Sequence, residues 1–89
     1  MISKDLTIIN KLGLHARAAA KFVSLASRFN ASIHVSRNGR EVNGKSIMGI
    51  MMLAASKGTV ITVTVDGTDE TDAINALATL IGNRFDEEE

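Results

Sequence analysis

The segment Val60–Asp66 constrains the fold more than any other part of the sequence, because its apolar and polar residues alternate strictly. Every second position is apolar: Ile61, Val63 and Val65. The threonines between them, Thr62 and Thr64, project to the opposite side of an extended chain. A strand with one apolar and one polar face is typical of an antiparallel sheet that is covered on one side only. We therefore expect a sheet whose second face is open to water.

Three more strands accompany it. Residues 31–37 alternate in the same way, with the isoleucine and the valine on the buried side. The Asn38–Gly39 pair that follows is typical of a tight hairpin turn and predicts a partner strand at Arg40–Asn43. Leu6 and Ile8 indicate a further strand near the start of the chain.

Three segments between and after these strands show helical periodicity. The first spans residues 16–28, with apolar residues on one stripe: Ala19, Phe22, Val23 and Ala26. Its polar residues form the opposite stripe: Arg17, Lys21, Ser24 and Arg28. The second follows Ser46 as residues 47–56, and Gly58 is expected to end it. The third begins near Thr68–Asp69, since such side chains are favoured at a helix N-terminus, and buries Ile74, Leu77 and Ile81.

The resulting order is β-α-β-β-α-β-α. We predict an α+β fold, an open-faced β-sandwich in which three helices cover one face of a four-stranded antiparallel sheet. The chain has 89 residues and no repeat or linker, so a single domain over residues 1–89 is expected. The acidic tail, about residues 86–89, is interpreted as solvated charge.

Composition narrows the classes of function. The formal charge is zero and the chain has neither Trp nor Tyr, which argues against nucleic-acid binding and against an anionic membrane as partner. The absence of cysteine excludes a disulfide framework and a cysteine-based metal cluster. No apolar stretch approaches the length of a membrane span, and no signal peptide is evident. We expect a soluble cytoplasmic protein without a metal or another cofactor.

The junction between the first strand and the first helix, Gly13-Leu14-His15-Ala16-Arg17, carries the residues best suited to chemistry. The glycine permits a sharp turn, so His15 falls at or beside the helix N-cap. A helix N-terminus offers unpaired N–H groups and the positive end of the helix dipole, which favour a bound anion. The dipole also disfavours the imidazolium form of His15, and Arg17 can hold a phosphate by charge-assisted hydrogen bonds. This segment predicts a histidine that carries a phosphoryl group.

A simpler interpretation makes His15 a polar N-cap and Arg17 a solvated side chain. It would suit an isolated His-x-Arg, but the glycine, the strand-to-helix position and the basic outer stripe favour the chemical role. The opposite holds for His34, which alternates onto the polar face of a strand without a companion motif. We interpret His34 as a surface residue.

Two motifs, the junction Gly13–Arg17 and the later Gly-Lys-Ser-Ile-Met-Gly at Gly44–Gly49, together resemble the HPr family, the phosphocarriers of the bacterial phosphotransferase system. The resemblance extends over nearly the whole chain. It implies that His15 is phosphorylated on Nδ1 by Enzyme I, which is charged by phosphoenolpyruvate, and passes the phosphoryl group to an Enzyme IIA domain. The protein would then be a phosphoryl-transfer intermediate rather than a stand-alone enzyme. The family usually has proline where this chain has Ala18, which implies slightly looser preorganisation with the chemistry preserved.

Ser46 precedes an apolar run and fits a helix N-cap, with its hydroxyl accepting from an N–H one turn later. The resemblance implies a second role, as the site that HPr kinase/phosphorylase phosphorylates. A phosphate at this helix end should cause little unfolding. Its negative charge should instead weaken the binding of an acidic partner.

Helix 47–56 is apolar on too many sides for an ordinary surface helix. Ile50, Leu53 and Ala54 are expected to face the core, and Met52 is expected to be buried as well. The remaining apolar side chains form an adaptable exposed patch. Together with the first helix it predicts one docking face for Enzyme I and Enzyme IIA: Ala16, Arg17, Ala20, Lys21, Ser24, Ile47, Met48 and Met51.

Two alternatives compete with this interpretation. The segment Gly39–Ser46 matches the nucleotide-binding pattern G-x-x-x-x-G-K-S. The hairpin signal at Asn38–Gly39, the alternating threonines and the short chain oppose that function. The other alternative is a regulatory adaptor of the nitrogen-related or carbon-regulation branch of the HPr family, which differs in its partners rather than in its fold. A monomer is the default expectation.

Overall fold

The computed structural model describes residues 1–89 and shows the predicted order of elements. Their bounds are β1 Ile2–Thr7, α1 Ala16–Ala26, β2 Ser32–Arg37, β3 Arg40–Asn43, α2 Ile47–Met52, β4 Val60–Asp66 and α3 Glu70–Gly82. A short turn with left-handed backbone at Arg84–Asp86 follows α3 and was not predicted. None of the helices combines the length and the apolar character that crossing a membrane requires.

The four strands form one antiparallel sheet in the order β1-β4-β2-β3, so β4 lies inside the sheet and pairs on both sides. The alternation that predicted this strand is confirmed. Its apolar side chains are fully buried: Ile61, Val63 and Val65. On the open face, Thr62 donates to Asp5 at 2.7 Å and Thr64 lies 2.8 Å from the Ser3 hydroxyl. The predicted α+β open-faced sandwich is therefore confirmed.

The core lies between the buried face of the sheet and the inner stripes of the helices. The stripe predicted for the last helix is buried as expected: Ile74, Leu77 and Ile81. Phe22 of α1 and Ile50 of α2 enter the same core cluster. The Asn38–Gly39 hairpin is confirmed too, since both residues have positive φ, at 50° and 80°, as a tight primed turn requires.

The second helix is shorter than predicted, because it ends at Met52 rather than near residue 56. Its terminal carbonyls are satisfied by side chains from the β2–β3 hairpin. Arg37 donates to the carbonyls of Leu53 and Ala54, at 2.7 Å and 3.1 Å, and Arg40 donates to the carbonyl of Met52 at 3.2 Å. These tertiary hydrogen bonds replace a further helical turn, which periodicity alone does not reveal.

Two expectations for this region were wrong as a result. Ala54 was expected in the core, but it has a φ of 51° and is exposed. Met52 was expected to be buried, but its side chain is 57% exposed. Leu53 is buried as predicted. The first helix likewise ends at Ala26, two positions before the predicted 28.

Gly13 fixes the start of α1 against the segment that follows α2. The Leu14 N–H donates to the carbonyl of Ala55 at 2.9 Å. This close approach requires glycine at position 13, where φ is +66° and a Cβ would lie 2.4 Å from the same carbonyl oxygen. The turn into α1 is therefore determined by backbone contact as well as by local preference.

Replacing Gly13 with alanine should destabilise the protein by about 2–4 kcal/mol, because the left-handed backbone and the collision with Ala55 both add cost. Gly58→Ala is the matched control, since Gly58 has a φ of +90° but nothing lies within 4 Å of the position that a Cβ would take. That control should lose only about 1–2 kcal/mol. Urea unfolding measures both variants, and equal losses would contradict the close contact at Gly13.

Candidate functional site

His15 is the N-cap of α1, as its position in the sequence predicted. Its φ and ψ are −73° and 177°, and its carbonyl accepts the N–H of Ala19 at 2.8 Å. The N–H groups of Ala16, Arg17 and Ala18 precede this bond and have no partner one turn back within the helix. The imidazole makes no capping hydrogen bond, so these backbone donors remain available at the helix end.

The tail supplies a partner for the imidazole that the sequence did not predict. Nε2 of His15 lies 2.6 Å from Oε2 of Glu87. The other carboxylate oxygen, Oε1, accepts a hydrogen bond from Asn10 Nδ2 at 3.0 Å. The expectation that residues 86–89 are solvated charge is therefore wrong for Glu87, whose side chain is only 15% exposed.

Asn10 connects this contact to the loop before α1. Its side chain is fully buried, and Nδ2 also donates to the carbonyl of Gly13 at 2.8 Å. Both amide hydrogens of Asn10 are thereby committed, one to the loop and one to Glu87. The arrangement ties the backbone before His15 to the carboxylate that contacts its ring.

The path of the tail explains how Glu87 reaches the histidine. Residues Arg84–Asp86 all have positive φ, between 54° and 63°, and reverse the chain after α3. The Phe85 side chain is fully buried, and its carbonyl accepts from Lys21 Nζ of α1 at 2.7 Å. Farther along, the N–H of Lys11 donates to the carbonyl of Glu89 at 2.9 Å. These contacts hold the tail against α1.

The tail and the start of α1 together enclose an open cleft of mixed charge. Its lining consists mostly of basic and acidic residues, with Leu12 and Ala16 as the hydrophobic ones: Lys11, Leu12, His15, Ala16, Arg17, Lys21, Asp86, Glu87, Glu88 and Glu89. His15 and Arg17 thus line the same cleft. Arg17 is exposed and contacts no acidic group in a salt bridge, whereas Lys21 is half-buried by its bond to the tail.

The pKa of Glu87 lies below its ordinary value of 4.5. Burial of the carboxylate acts in the opposite direction, because it disfavours the charged form. The hydrogen bonds from Asn10 and His15, with the nearby charges of His15 and Lys21, outweigh it. Glu87 is therefore an ionised carboxylate at neutral pH. Its negative charge interacts favourably with the positive end of the helix dipole at His15.

Ser46 lies outside this cleft, at the N-cap of α2. Its Oγ accepts the Gly49 N–H at 3.1 Å, so the predicted capping role is confirmed. The side chains expected to be exposed on this helix are exposed: Ile47 44%, Met48 73% and Met51 41%. On α1, Ala16, Ala20 and Ser24 are exposed as well. The two helices contact each other.

The Gly39–Ser46 segment does not form a phosphate-binding loop. Gly39 belongs to the hairpin turn, and Arg40–Asn43 is strand β3. Lys45, which would contact a nucleotide phosphate, instead donates to the carbonyl of Phe29 at 2.7 Å. No three His, Cys, Asp or Glu side chains are grouped closely enough to hold a metal ion.

Comparison with known proteins identifies the family. Residues 2–83 match the PTS-HPr family model, described as the PTS HPr component phosphorylation site. The chain is 57% identical to the phosphocarrier protein HPr of Cupriavidus necator over 89 residues, the full length of both. It is also 57% identical to HPr of Pseudomonas aeruginosa over 90 aligned positions, again the full length of both. The chain belongs to the HPr family.

A solved HPr structure agrees with this assignment. The crystal structure of HPr from Thermoanaerobacter tengcongensis superposes with a TM-score of 0.96 at 48% identity, over the whole of both chains. The protein is accordingly an HPr-type phosphocarrier of the phosphotransferase system.

Two residues that support His15 in this HPr-family protein were not predicted from the sequence: Glu87, which lines the cleft, and Asn10, which is buried behind it. Asn10 stands three positions before Gly13, where asparagine is common in turns, but nothing in the sequence shows that it is buried. For Glu87 the only available signal is Phe85, an apolar aromatic residue within an otherwise polar tail. Its burial requires the chain to turn back onto the core.

The depressed pKa of Glu87 predicts a pH dependence with a definite sign. The Glu87 carboxylate should contribute its full stabilisation above pH 4.5, the ordinary pKa of a glutamate. This stabilisation should be lost as the pH falls through the lower pKa that Glu87 has in the folded protein. Carbon-13 NMR of the side-chain carboxyl should give a midpoint below 4.5. Asn10→Ala should raise that midpoint, because the burial penalty remains while a donor is lost. A wild-type midpoint above the ordinary value would contradict the hydrogen bonds to Glu87.

Proposed function

We propose that His15 accepts a phosphoryl group from Enzyme I, charged by phosphoenolpyruvate, and donates it to Enzyme IIA domains. The observation that carries this proposal is the position of His15. Its ring lies at the N-terminus of α1, at the edge of an open cleft, with 28% of the side chain exposed. A carrier must present its nucleophile to two different proteins in turn, and an N-cap residue on the surface can do so.

The chemistry requires positioning and charge stabilisation more than covalent assistance. The lone pair of Nδ1 forms the bond to phosphorus while the bond to the donor group of Enzyme I breaks. The phosphoryl oxygens then lie near the unpaired N–H groups of the first turn of α1. Arg17 is exposed in the same cleft and can add charge-assisted hydrogen bonds. The partner proteins supply the remaining catalytic groups.

Both partners would use one docking surface, formed by residues of α1 and α2: Ala16, Arg17, Ala20, Lys21, Ser24, Ile47, Met48 and Met51. Its α2 part is apolar and exposed, which is unusual for a short surface helix and typical of an interface. Methionine side chains adapt to differently shaped partners. The exposure of Met52 enlarges this apolar area. We place the protein in the cytoplasm as a monomer, and the family branch with mainly regulatory partners remains the alternative.

Ser46 would be a regulatory phosphorylation site for HPr kinase/phosphorylase. Its hydroxyl caps α2, and the neighbouring side chains Ile47 and Met48 belong to the docking surface. A phosphate adds about −1.5 to −2 charges. Since these charges would stand beside an apolar interface, they should weaken docking rather than unfold the helix.

Purified Enzyme I and labelled phosphoenolpyruvate test the carrier function directly. Wild-type protein should take up acid-labile label, and His15→Ala should take up none. His34→Ala is the matched control, because His34 is the second histidine of the chain and lies exposed on β2. Absence of label from the wild type, or equal label in His15→Ala, would overturn the proposal.

For Ser46, the kinase with labelled ATP should phosphorylate the wild type and leave Ser46→Ala unlabelled. Ser46→Asp retains a good N-cap, so its unfolding free energy should stay within about 0.5 kcal/mol of the wild type. The KM of Enzyme I for this variant should rise by about 3–10-fold. Ser32→Asp places the same charge on the exposed start of β2 and should have no such effect. Unchanged KM in Ser46→Asp would refute the docking argument.

A further inference from the structure

The contact between Glu87 and His15 specifies which nitrogen of the imidazole carries the proton. An ionised carboxylate can only accept hydrogen bonds, so at 2.6 Å the ring nitrogen facing it must be the donor. That nitrogen is Nε2. In the neutral ring the lone pair then resides on Nδ1, which makes no hydrogen bond with the protein.

Asn10 determines which kind of side chain can occupy position 87. Its Nδ2 donates to Glu87 Oε1 at 3.0 Å and to the Gly13 carbonyl at 2.8 Å, so it presents only hydrogens to position 87. The side chain there must therefore accept from Asn10 on one oxygen. A carboxylate can do this and still accept from His15 on its other oxygen, which no neutral amide can do.

We propose that Glu87 is a positioning residue for phosphoryl transfer, holding the Nε2 proton of His15 so that the Nδ1 lone pair is directed to the incoming phosphorus. This inference rests on the proposed function of His15. It assigns a mechanistic role to a tail residue that the sequence suggested was merely solvated.

The same contact would assist the transfer step itself. As Nδ1 forms the bond to phosphorus and the donor bond breaks, the proton stays on Nε2 and the ring gains a positive charge. The Glu87 carboxylate compensates that charge, much as a buried carboxylate stabilises an imidazolium in serine hydrolases. When Enzyme IIA takes the phosphoryl group, the bonding pair returns to Nδ1 and the original neutral tautomer is restored. No proton has to enter or leave.

The contact also has a cost, because a carboxylate repels the dianionic phosphoryl group. The same lining holds three further carboxylates, Asp86, Glu88 and Glu89, against the basic side chains Lys11, Arg17 and Lys21. Because Lys11 pairs with Glu89 at 3.3 Å and Lys21 donates to the Phe85 carbonyl, Arg17 is the cation that can offset the repulsion. Glu87 approaches Nε2 rather than Nδ1, so it stands on the other ring nitrogen from the reacting one. The anchored tail keeps it there, since Phe85 is fully buried and Lys21 holds the Phe85 carbonyl.

The decisive comparison is between Glu87→Gln and Glu87→Ala. In Glu87→Gln the amide oxygen must face Asn10, so the amide N–H faces His15 and requires the lone pair on Nε2. The proton then moves to Nδ1 and blocks the nucleophile. In Glu87→Ala water replaces the carboxylate and either tautomer can form. A merely structural role for Glu87 would make the isosteric glutamine the milder change, whereas the proposal makes it the more harmful one.

Nitrogen-15 NMR of labelled histidine reports the tautomer of the full-length protein, and rapid-quench kinetics with phosphorylated Enzyme I report transfer. We expect the Nε2–H form in the wild type and the Nδ1–H form in Glu87→Gln, with transfer slowed by about 10–100-fold. Glu87→Ala should fall between the two. Glu41→Gln makes the same change at an exposed side chain of β3, outside the cleft, and should match the wild type.

Wild-type rate and tautomer in Glu87→Gln would overturn the role of Glu87, as would a slower transfer in Glu87→Ala than in Glu87→Gln. Both results are compatible with a wild type that takes up label on His15. They would therefore refute the role of Glu87 without refuting the carrier function. Failure to label the wild type would instead refute the carrier function on which this inference depends.

Discussion

The buried side chain of Asn10 joins the two parts of the chain on which the site depends. One of its amide hydrogens holds the Gly13 carbonyl, in the loop that leads into α1, and the other holds Glu87 in the tail. These segments are far apart in sequence, 77 positions for the bond to Glu87. Because a buried N–H group is costly unless it is hydrogen-bonded, both segments are stabilised in the positions that accept from Nδ2 of Asn10, while its Oδ1 is buried without a partner. His15 lies between them.

The requirements of a carrier explain the rest of the arrangement. In the proposed role, the His15 ring would have to be accessible to successive partners and also keep a reproducible orientation. A buried ring would keep its orientation but would not be accessible to a partner. Here the backbone around His15 is fixed by Gly13 packing on Ala55 and by the start of α1, while the ring projects into an open cleft. The ring thus lies at the surface, while contacts with the rest of the fold hold the backbone that carries it.

Much of the architecture could be predicted because the signals are local. Alternation in β4, the Asn38–Gly39 turn and the N-caps at His15 and Ser46 each depend on a few neighbouring residues. The end of α2 could not be predicted in this way, because the arginines that satisfy its carbonyls come from another hairpin. The wrong predictions that Met52 and Ala54 are buried follow from this one error in the end of α2.

The sequence alone determined the order of elements, the buried face of the sheet, and the presence of a histidine and an arginine at one helix N-terminus. These features follow from periodicity and capping, which operate over a single turn or a single strand. Only the tertiary structure decided that the tail returns to the histidine and that Glu87 contacts Nε2 at 2.6 Å. The physical reason is that acidic side chains are well solvated in water and need no contact with the rest of the protein. The position of this tail depends instead on the burial of Phe85 and on hydrogen-bond donors from distant parts of the chain.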